Sequence, residues 1–350
     1  MQSEAKQIMY ALVLGDRSDL DPQLRQQYAN AGVVHILAVS GLHVGVLYLL
    51  ISLIFQKLLS GRAWRFQAFI TLAVLWSYAL MTGLSPSVWR AATMFSLLSV
   101  GVQLGRITNI YSTLAASAFI LLILDASLLF SPGFQLSYAA VFGIVRYQPI
   151  IAEWWEPKTK WINYAWQIAS VSLAAQIVTM PFTLVYFGQF PTYFLLANLL
   201  ILPLLSIIMI GSIIALLVGS LIQLPFWALY PLDLLYFWEN FVVKTINQLP
   251  YASITHFDLT WQMGVLIMFF SLMMFEAIKY RSAFRLKMSL GGLVIFILFS
   301  FPNFNSSWGD EEQFEHKGVS YLHYKYHGVQ SDTARFPPYV RRVYDWEVRK

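Results

Sequence analysis

The stretch "HILAVSGLHVGVLYLL", from His35 to Leu50, combines two properties that oppose each other. Most of its residues are apolar enough for a lipid bilayer, yet it carries two histidines and places Ser40 directly before Gly41. Polar groups are costly in a bilayer and are kept there where they serve a function or pair with one another. The stretch therefore predicts a membrane-spanning segment with a special role.

The composition of the whole chain points to the same class of protein. Of its 350 residues, 58% are hydrophobic and 12% are charged. Soluble domains carry about 25% charged residues, so this chain falls in the membrane class. It contains no cysteine, which excludes disulfides and thiolate metal ligands. We expect neither a metal ion nor a cofactor.

Ten apolar runs follow one another along the chain, each near the roughly 20 residues that a spanning helix needs. They predict an all-α polytopic membrane protein with about ten transmembrane helices. Pro181 and Pro203 are expected to break the sixth and seventh helices where they line a water-filled path. The predicted spans are 33–56, 66–83, 87–104, 110–129, 132–148, 162–187, 192–220, 226–249, 261–278 and 288–303.

The distribution of basic residues predicts which loops are cytoplasmic, because cytoplasmic loops are enriched in Lys and Arg. If the N-terminus is outside, eleven Lys and Arg residues fall in the inside loops. The short outside loops contain none; they lie near 84–86, 130–131, 188–191 and 250–260. Both termini are therefore predicted to be extracytoplasmic.

Three regions follow from this topology. Residues 1–32 are polar and are predicted to form an extracytoplasmic lead-in, and residues 33–303 form the transmembrane domain. Residues 304–350 form an extracytoplasmic tail, in which the alternating "GVSYLHYKYHG" predicts a short β-rich piece. The tail is too short for an independent core, so we expect it to be the start of a truncated domain.

Polar groups within the predicted spans are candidates to line a channel or to hold helices together. His35 and His43 are eight residues apart, so in a continuous helix they project in similar directions. With Ser40 they are expected to face a hydrated conduit, to hold its walls in register, or only to join helices. The full set of candidates is His35, Ser40, Gly41, His43, Gly45, Arg90, Gln135, Ser137, Gln176 and Asn198.

The segment "AVSGLH" also resembles the Gly-x-Ser-Gly setting of intramembrane serine proteases. Ala38 stands in place of the first glycine, and we expect a nucleophilic serine to need a histidine from another helix rather than the nearby His43. The chain has no HExxH motif of zinc proteases and no GxxxxGK[ST] loop for nucleotides. We predict that it is not an enzyme and that its energy comes from a partner or a gradient.

Four stretches, taken in order, resemble the ComEC family of bacterial competence proteins. They include a His-x-x-x-x-Ser-Gly-x-His core at 35–43 and Pro-x-x-x-Arg-Ala at 86–91. The stretches are "LGDRSDLDPQLRQQYANAGVVHILAVSGLHVGVL" (14–47), "GLSPSVWRAATM" (83–94), "SPGFQLSYAAVFGI" (131–144) and "SLAAQIVTMPFTLVYFGQFPTYFLLANLLILPL" (172–204).

The resemblance implies a multi-pass channel of the bacterial cytoplasmic (inner) membrane that passes one DNA strand inward during natural transformation. It implies single-stranded DNA, an extracytoplasmic DNA-receptor protein and a cytoplasmic helicase-like motor as partners, besides the lipid bilayer. A homo-oligomer is a further expectation. Many family members carry a metallo-β-lactamase-like nuclease domain, but this tail lacks its His-x-His-x-Asp-His pattern, so we expect no nuclease activity. A transporter of small anions or lipids would share the topology and stays an alternative, as does the protease.

A DNA backbone that crosses a region of low dielectric needs positive charge, and single strands are held by basic grooves with aromatic stacking surfaces. Arg90, beside Trp89, is the candidate contact at the outer mouth. Basic residues of the inner loops are candidates to receive the emerging strand, although membrane topology explains them equally well. These inner residues are Arg106, Arg146, Lys158 and Lys160.

Overall fold

The computed structural model of the chain describes most residues up to 294 and one hairpin beyond them. Helices dominate this part of the chain. The described residues are 3–13, 15–16, 18, 20–37, 39–58, 66–105, 109–221, 226–255, 257, 259–280, 284, 287–292, 294, 311–316 and 319–324.

Eleven α-helices, one 3₁₀ helix (Ala126–Phe130) and four short strands make up the elements of the described residues. The helices are α1 (Ser3–Val13), α2 (Pro22–Asn30), α3 (Gly41–Leu58), α4 (Gln67–Met81), α5 (Pro86–Gln103), α6 (Ile110–Leu124), α7 (Pro132–Ala152), α8 (Lys160–Phe187), α9 (Phe194–Leu221), α10 (Phe226–Asn247) and α11 (Trp261–Tyr280). The strands are β1 (Phe190–Pro191), β2 (Ser253–Ile254), β3 (Glu311–His316) and β4 (Val319–Tyr324).

Helices α3 to α11 fall on the first nine predicted spans, so the positions of these helices are confirmed. The tenth predicted span, 288–303, lies mostly outside the described residues. Among the described helices, two are long and apolar enough to cross a bilayer: α8, and Phe194–Leu216 of α9. Four more are apolar but shorter. Helix α4, with 15 residues, is about 22 Å long, whereas the hydrocarbon core is about 30 Å thick.

Helix α3 begins later than predicted, at Gly41. The chain turns at Gly32, whose φ of +81° is open to glycine, and Ser40 then precedes the helix. His35 consequently lies in an exposed turn, while His43 is buried in the first turn of α3. The prediction that both histidines project from one continuous helix is wrong, because the helix starts between them.

Prolines lie inside four helices without interrupting them. Helix α8 continues through Pro181 and α9 through Pro203, while α7 and α10 contain Pro149 and Pro231. The prediction that Pro181 and Pro203 break their helices is wrong. A proline removes one backbone hydrogen bond, and packing against neighbouring helices offsets that loss without ending the helix.

Hydrogen bonds between helix ends indicate that two pairs of consecutive helices are antiparallel. Trp166, near the start of α8, donates to the carbonyl of Ala152 at the end of α7 (3.0 Å). At the opposite end of the same pair, Tyr186 donates to the side chain of Gln135 (2.8 Å). Likewise Gln103, at the end of α5, accepts a backbone hydrogen bond from the start of α4. For these two pairs the directions agree with the topology that the loop charges predict.

A very close approach occurs where α7 packs along α8. A Cβ atom on Gly143 would lie 2.5 Å from the carbonyl oxygen of Ala174 and 2.9 Å from the side chain of Val178. Small residues at such interfaces let two helix backbones approach each other. Gly143 therefore sets the separation of α7 and α8.

The N-terminal helices pack into the helix bundle rather than standing apart from it. Ile8 and Leu12 of α1 are fully buried in the same apolar cluster as Ile208 of α9 and Val243 of α10. Tyr28 of α2 belongs to this cluster as well. The predicted lead-in thus shares a core with the helices that follow it.

Two short antiparallel ladders complete the described fold. In the first, Phe190 of β1 lies opposite Ile254 of β2, which joins the loop after α8 to the loop after α10. Both loops therefore lie at the same end of the molecule, as two outside loops must. In the second, Glu311 of β3 lies opposite Tyr324 of β4, and the strand predicted from the aromatic alternation is confirmed.

Candidate functional site

Ser40 and His43 begin helix α3 with a reciprocal set of hydrogen bonds. The Ser40 hydroxyl accepts from the backbone N–H of Leu42 (3.2 Å). The Nδ1 atom of His43 accepts from the backbone N–H of Ser40 (3.0 Å) and lies 2.9 Å from the Ser40 Oγ. This is the arrangement of a capping box, with histidine in the place usually held by glutamate or glutamine. We call this pair the Ser40–His43 cap.

These hydrogen bonds determine the tautomer of the His43 imidazole. Because Nδ1 accepts the backbone N–H of Ser40, the proton of the neutral ring lies on Nε2. The residue is 1% exposed, and Nε2 has no hydrogen-bond partner among the described residues. The expectation that Ser40 needs a histidine from another helix is wrong as far as hydrogen bonding goes, since the start of α3 brings His43 to it.

The predicted small-residue strip lies between α3 and α5. A Cβ atom on Gly41 would lie 3.5 Å from the Cβ of Ala91, and one on Gly45 would lie 3.2 Å from the ring of Phe95. Side chains of α5, rather than its backbone, therefore fill the space that the two glycines leave. The strip serves the packing of α3 against α5.

Arg90 lies near the start of α5 and is 3% exposed. Its Nε and Nη1 atoms have no hydrogen-bond partner in the part of the chain that the structure describes. Nη1 faces the first turn of α7, 3.9 Å from the position that a Cβ of Gly133 would take. Burying an unpaired charge is costly, so helix packing alone does not explain this residue.

The other predicted polar residues of the spans are spread over α7, α8 and α9. Gln135 accepts the hydrogen bond from Tyr186 described above. Asn198 is 8% exposed, and its Oδ1 has no partner among the described side chains and backbone groups. Ser137 and Gln176 are half-buried. The hydrogen bonds of the described residues do not join these four side chains to the Ser40–His43 cap.

The basic residues predicted to lie in the inner loops differ in exposure and in ion pairing. Arg106 lies outside the described residues, and Arg146 forms an ion pair with Glu276 of α11. Lys158 and Lys160 are exposed just before α8 and at its first residue. An arginine that is already paired with a carboxylate attracts a phosphate less strongly. Of the described basic residues of the inner loops, the two lysines are therefore the more accessible to an anion.

Comparison with models of protein families assigns the chain to a family. The family model described as "Competence protein" matches residues 12–281. The chain belongs to this family. The part that matches the competence family contains the Ser40–His43 cap, Arg90 and the whole of helices α2 to α11.

Three curated relatives extend the comparison. ComE operon protein 3 of Bacillus subtilis (strain 168) is 31% identical over 308 residues, which are 85% of this chain and 38% of the relative. The uncharacterized protein YcaI of Escherichia coli (strain K12) is 25% identical over 226 residues, or 61% and 29% of the two chains. Competence protein ComA of Neisseria gonorrhoeae is 29% identical over 146 residues, or 39% and 21%. The chain thus spans less than half the length of these relatives. No solved structure matches it.

A buried polar cluster in this competence family chain was not predicted. Tyr28 of α2 donates to the Oδ1 of Asn240 (3.0 Å) and lies 3.3 Å from the Oε1 of Glu239, which is 1% exposed. Beside it, the hydroxyls of Tyr236 and Ser212 lie 2.8 Å apart. A carboxylate within an apolar run is the sequence signal for this cluster. Its partner Tyr28 is 211 residues away, a distance over which a sequence pattern does not pair residues.

Two cavities lie among the described residues of α3, α4, α5 and α9. One is lined by residues that include Tyr48, Gln67 and Ser99 and has a cavity volume of about 20 Å³. The other, between His43 and Met209, is too tight to hold a water molecule. Ligand pockets usually measure about 300–1,000 Å³, so both are far below that size. The described residues also contain no group of three His, Asp or Glu placed to hold a metal ion.

Proposed function

We propose that this chain forms the membrane part of a channel that passes single-stranded DNA into the cytoplasm during natural transformation. The observation that carries the proposal is the family match over residues 12–281. Two of the relatives, ComE operon protein 3 and Competence protein ComA, bear names that refer to competence. Competence is the state in which a bacterium takes up DNA, so a membrane chain of this family is expected to act in that transport.

In this proposal the chain crosses the bacterial cytoplasmic (inner) membrane ten times, with both termini outside. Helices α3 to α11 coincide with nine of the ten predicted spans, and the pairs α4–α5 and α7–α8 are antiparallel. Helix α6 is short for a span, and the 3₁₀ helix Ala126–Phe130 follows it after one extended residue. Short spans are accommodated by local thinning of the bilayer at modest cost.

The proposed strand meets positive charge at both sides of the membrane. Arg90 lies at the outer ends of the helices, and Lys158 and Lys160 lie at the inner ends. The Ser40–His43 cap fixes the start of α3 and thereby keeps the wall beside α5 in register. Because the described cavities are small, we propose that the path opens when partners bind or between copies in a homo-oligomer. An extracytoplasmic DNA-receptor protein and a cytoplasmic helicase-like motor are the proposed partners.

A serine hydrolase is the second candidate function, and the hydrogen-bond distance of 2.9 Å between Ser40 Oγ and His43 Nδ1 is the observation that favours it. We prefer the channel, because the backbone N–H of Ser40 shares that same Nδ1 atom and the proton-bearing Nε2 meets no carboxylate among the described residues. In a serine hydrolase, the histidine that activates the serine is itself oriented by a third group, usually a carboxylate. Labelling of Ser40 by a fluorophosphonate probe would reverse this preference.

The test of the channel is the transfer of labelled DNA into a nuclease-protected cytoplasmic compartment. The gene for this protein, at full length, is expressed in a competent strain that lacks its own channel. We expect the wild-type gene to restore protected, single-stranded label. Replacement of Ser40 by leucine is expected to abolish transfer, because it removes the cap of α3 and places a bulky apolar side chain at its start, with membrane abundance measured by immunoblot as the control.

If the wild-type protein reaches the membrane and labelled DNA stays on the cell surface, the DNA channel is wrong. The transporter of small anions or lipids then becomes the function to test, since it shares the topology and the buried polar groups.

A further inference from the structure

The guanidinium of Arg90 is a buried positive charge for which the described residues supply no counter-charge. The residue is 3% exposed, Nε and Nη1 have no hydrogen-bond partner, and no described carboxylate forms an ion pair with it. A buried charge without a partner is strongly destabilising, so this guanidinium is suited to bind an anion.

Two helices begin near this charge, and both begin in the same unusual way. Ser85 and Pro86 start α5, and Ser131 and Pro132 start α7. In neither case does the N-cap serine hydroxyl accept the usual capping hydrogen bond, and the hydroxyl of Ser85 is buried without a partner among the described residues. The first backbone N–H groups of a helix have no partner within that helix, and its N-terminus carries partial positive charge.

The side chain of Arg90 meets the start of α7. A Cβ atom on Gly133 would lie 3.9 Å from Arg90 Nη1 and 3.7 Å from the Oγ of Ser131. The guanidinium and the serine hydroxyl therefore both lie close to one point at the first turn of α7. Pro132 and Gly133 of that turn are exposed, whereas the Nη1 atom itself is buried.

We propose that Arg90, Ser131 and the first turn of α7 form a binding site for a phosphate group. A phosphate has the geometry to accept paired hydrogen bonds from the guanidinium fork and further bonds from the backbone N–H groups of a helix start. The hydroxyl of Ser131 adds a donor. That the phosphate belongs to a DNA strand rests on the proposed function, whereas the site itself does not.

The site is tested with the purified full-length protein and a fluorescent oligothymidylate, whose affinity is measured at several salt concentrations. Each phosphate contact with single-stranded DNA contributes about 0.7 to the slope of log K against log salt concentration. Arg90→Gln is expected to weaken binding about tenfold and to lower this slope by about 0.7. Arg25→Gln is the matched control, since it removes one arginine from the exposed face of α2 and should leave the slope unchanged.

A second variant separates loss of binding from loss of folding. Ser131→Asp places a carboxylate at the N-cap of α7 beside Arg90, which favours the helix and supplies an internal counter-charge. We expect this variant to unfold at the same or a higher temperature than the wild type and yet to lose the same affinity as Arg90→Gln. If Ser131→Asp and Arg90→Gln both bind with wild-type affinity and slope, the phosphate site is wrong.

The source of the phosphate is distinguished by three probes. Oligothymidylate is compared with its uncharged methylphosphonate analogue, with inorganic phosphate, and with vesicles of phosphatidylglycerol against phosphatidylcholine. A DNA site requires an Arg90-dependent preference for the charged oligonucleotide. An Arg90-dependent response to phosphatidylglycerol alone assigns the site to a lipid headgroup, and a response to inorganic phosphate alone assigns it to the free ion.

The same variants in the transfer assay separate this inference from the proposed function. Wild-type DNA transfer with an unchanged salt slope in Arg90→Gln would refute the site and leave the channel standing. Arg90-dependent phosphate binding in a protein that transfers no DNA would refute the channel and leave the site standing.

Discussion

At the scale of single residues, the imidazole of His43 accepts the backbone N–H of Ser40 and lies within hydrogen-bond distance of its hydroxyl, both at one nitrogen. The same hydroxyl accepts the backbone N–H of Leu42. The polar pair in an otherwise apolar stretch thus satisfies the backbone at a helix start, where N–H groups otherwise lack partners. This explains why serine and histidine stand three residues apart.

Variants of the Ser40–His43 cap test whether capping or chemistry is its role. Ser40→Ala and His43→Ala are each expected to lower the free energy of unfolding by about 0.5–2 kcal/mol, because a capping bond is lost. His43→Gln keeps a side chain that can accept the Ser40 N–H, and Ser40→Thr keeps the hydroxyl, so both should retain most of the stability. Denaturant unfolding in detergent measures the difference.

DNA transfer by the same variants decides whether the Ser40–His43 cap has a structural or a chemical role. We expect DNA transfer to follow the amount of folded protein, so that His43→Gln transfers nearly as much DNA as the wild type. Loss of transfer in a stable, abundant His43→Gln would show instead that the imidazole acts as an acid or base.

Some of these residue roles were open to prediction from the sequence and others were not. Serine three residues before a capping side chain is a helix-start pattern, and it predicts the beginning of α3 when the apolar run is not taken as one helix. The burial of Arg90 depends on α7, which lies more than forty residues further along the chain. A local pattern contains no information about that contact.

At the scale of helices, the contact of α7 with α8 depends on one missing side chain. Gly143→Ala would place a methyl group 2.5 Å from the carbonyl oxygen of Ala174, so the helices must separate. We expect a loss of about 1–3 kcal/mol in unfolding free energy, as is typical of overpacked contacts. Gly41→Ala is the matched control, because its methyl group would meet Ala91 at an ordinary 3.5 Å. Equal stability of the two variants would contradict the close approach of α7 and α8.

Hydrophobic runs predicted the positions of helices α3 to α11, because a long run of apolar residues marks a helix that is removed from water. The runs failed at the start of α3, where the helix boundary depends on a cap, and the expectation that proline breaks a helix failed at Pro181 and Pro203. Gly143 lies in a predicted span without any distinguishing pattern. Only the packed pair of helices reveals why a side chain is excluded there.

At the scale of the whole molecule, the alternation of helix direction predicts which loops face outward. The chain has no cysteine, so single cysteines can report on this directly. Thr192→Cys, in the exposed loop after α8, is expected to react with a membrane-impermeant maleimide in intact cells. Glu156→Cys, in the exposed loop before α8, is expected to react only after permeabilisation. The unsubstituted protein is the control for background labelling.

The reverse labelling pattern would invert the topology, and labelling of both positions in intact cells would mean that α8 does not span the membrane. The side assignment is a prediction from the charge of the loops. The packing of α1 and α2 against α9 and α10 was not predictable, since it joins the two ends of the domain.

The packing of α1 and α2 against α9 and α10 has a consequence for folding during protein synthesis. Tyr28 and Glu239 are 211 residues apart, and ribosomes add about 5–20 residues per second, so roughly 10 to 40 s pass between the appearance of the two partners. During that interval α1 and α2 exist while the helices that cover Ile8 and Leu12 do not. Helices α1 and α2 are therefore made well before the helices that cover them, and they are among the last elements of this bundle to be packed.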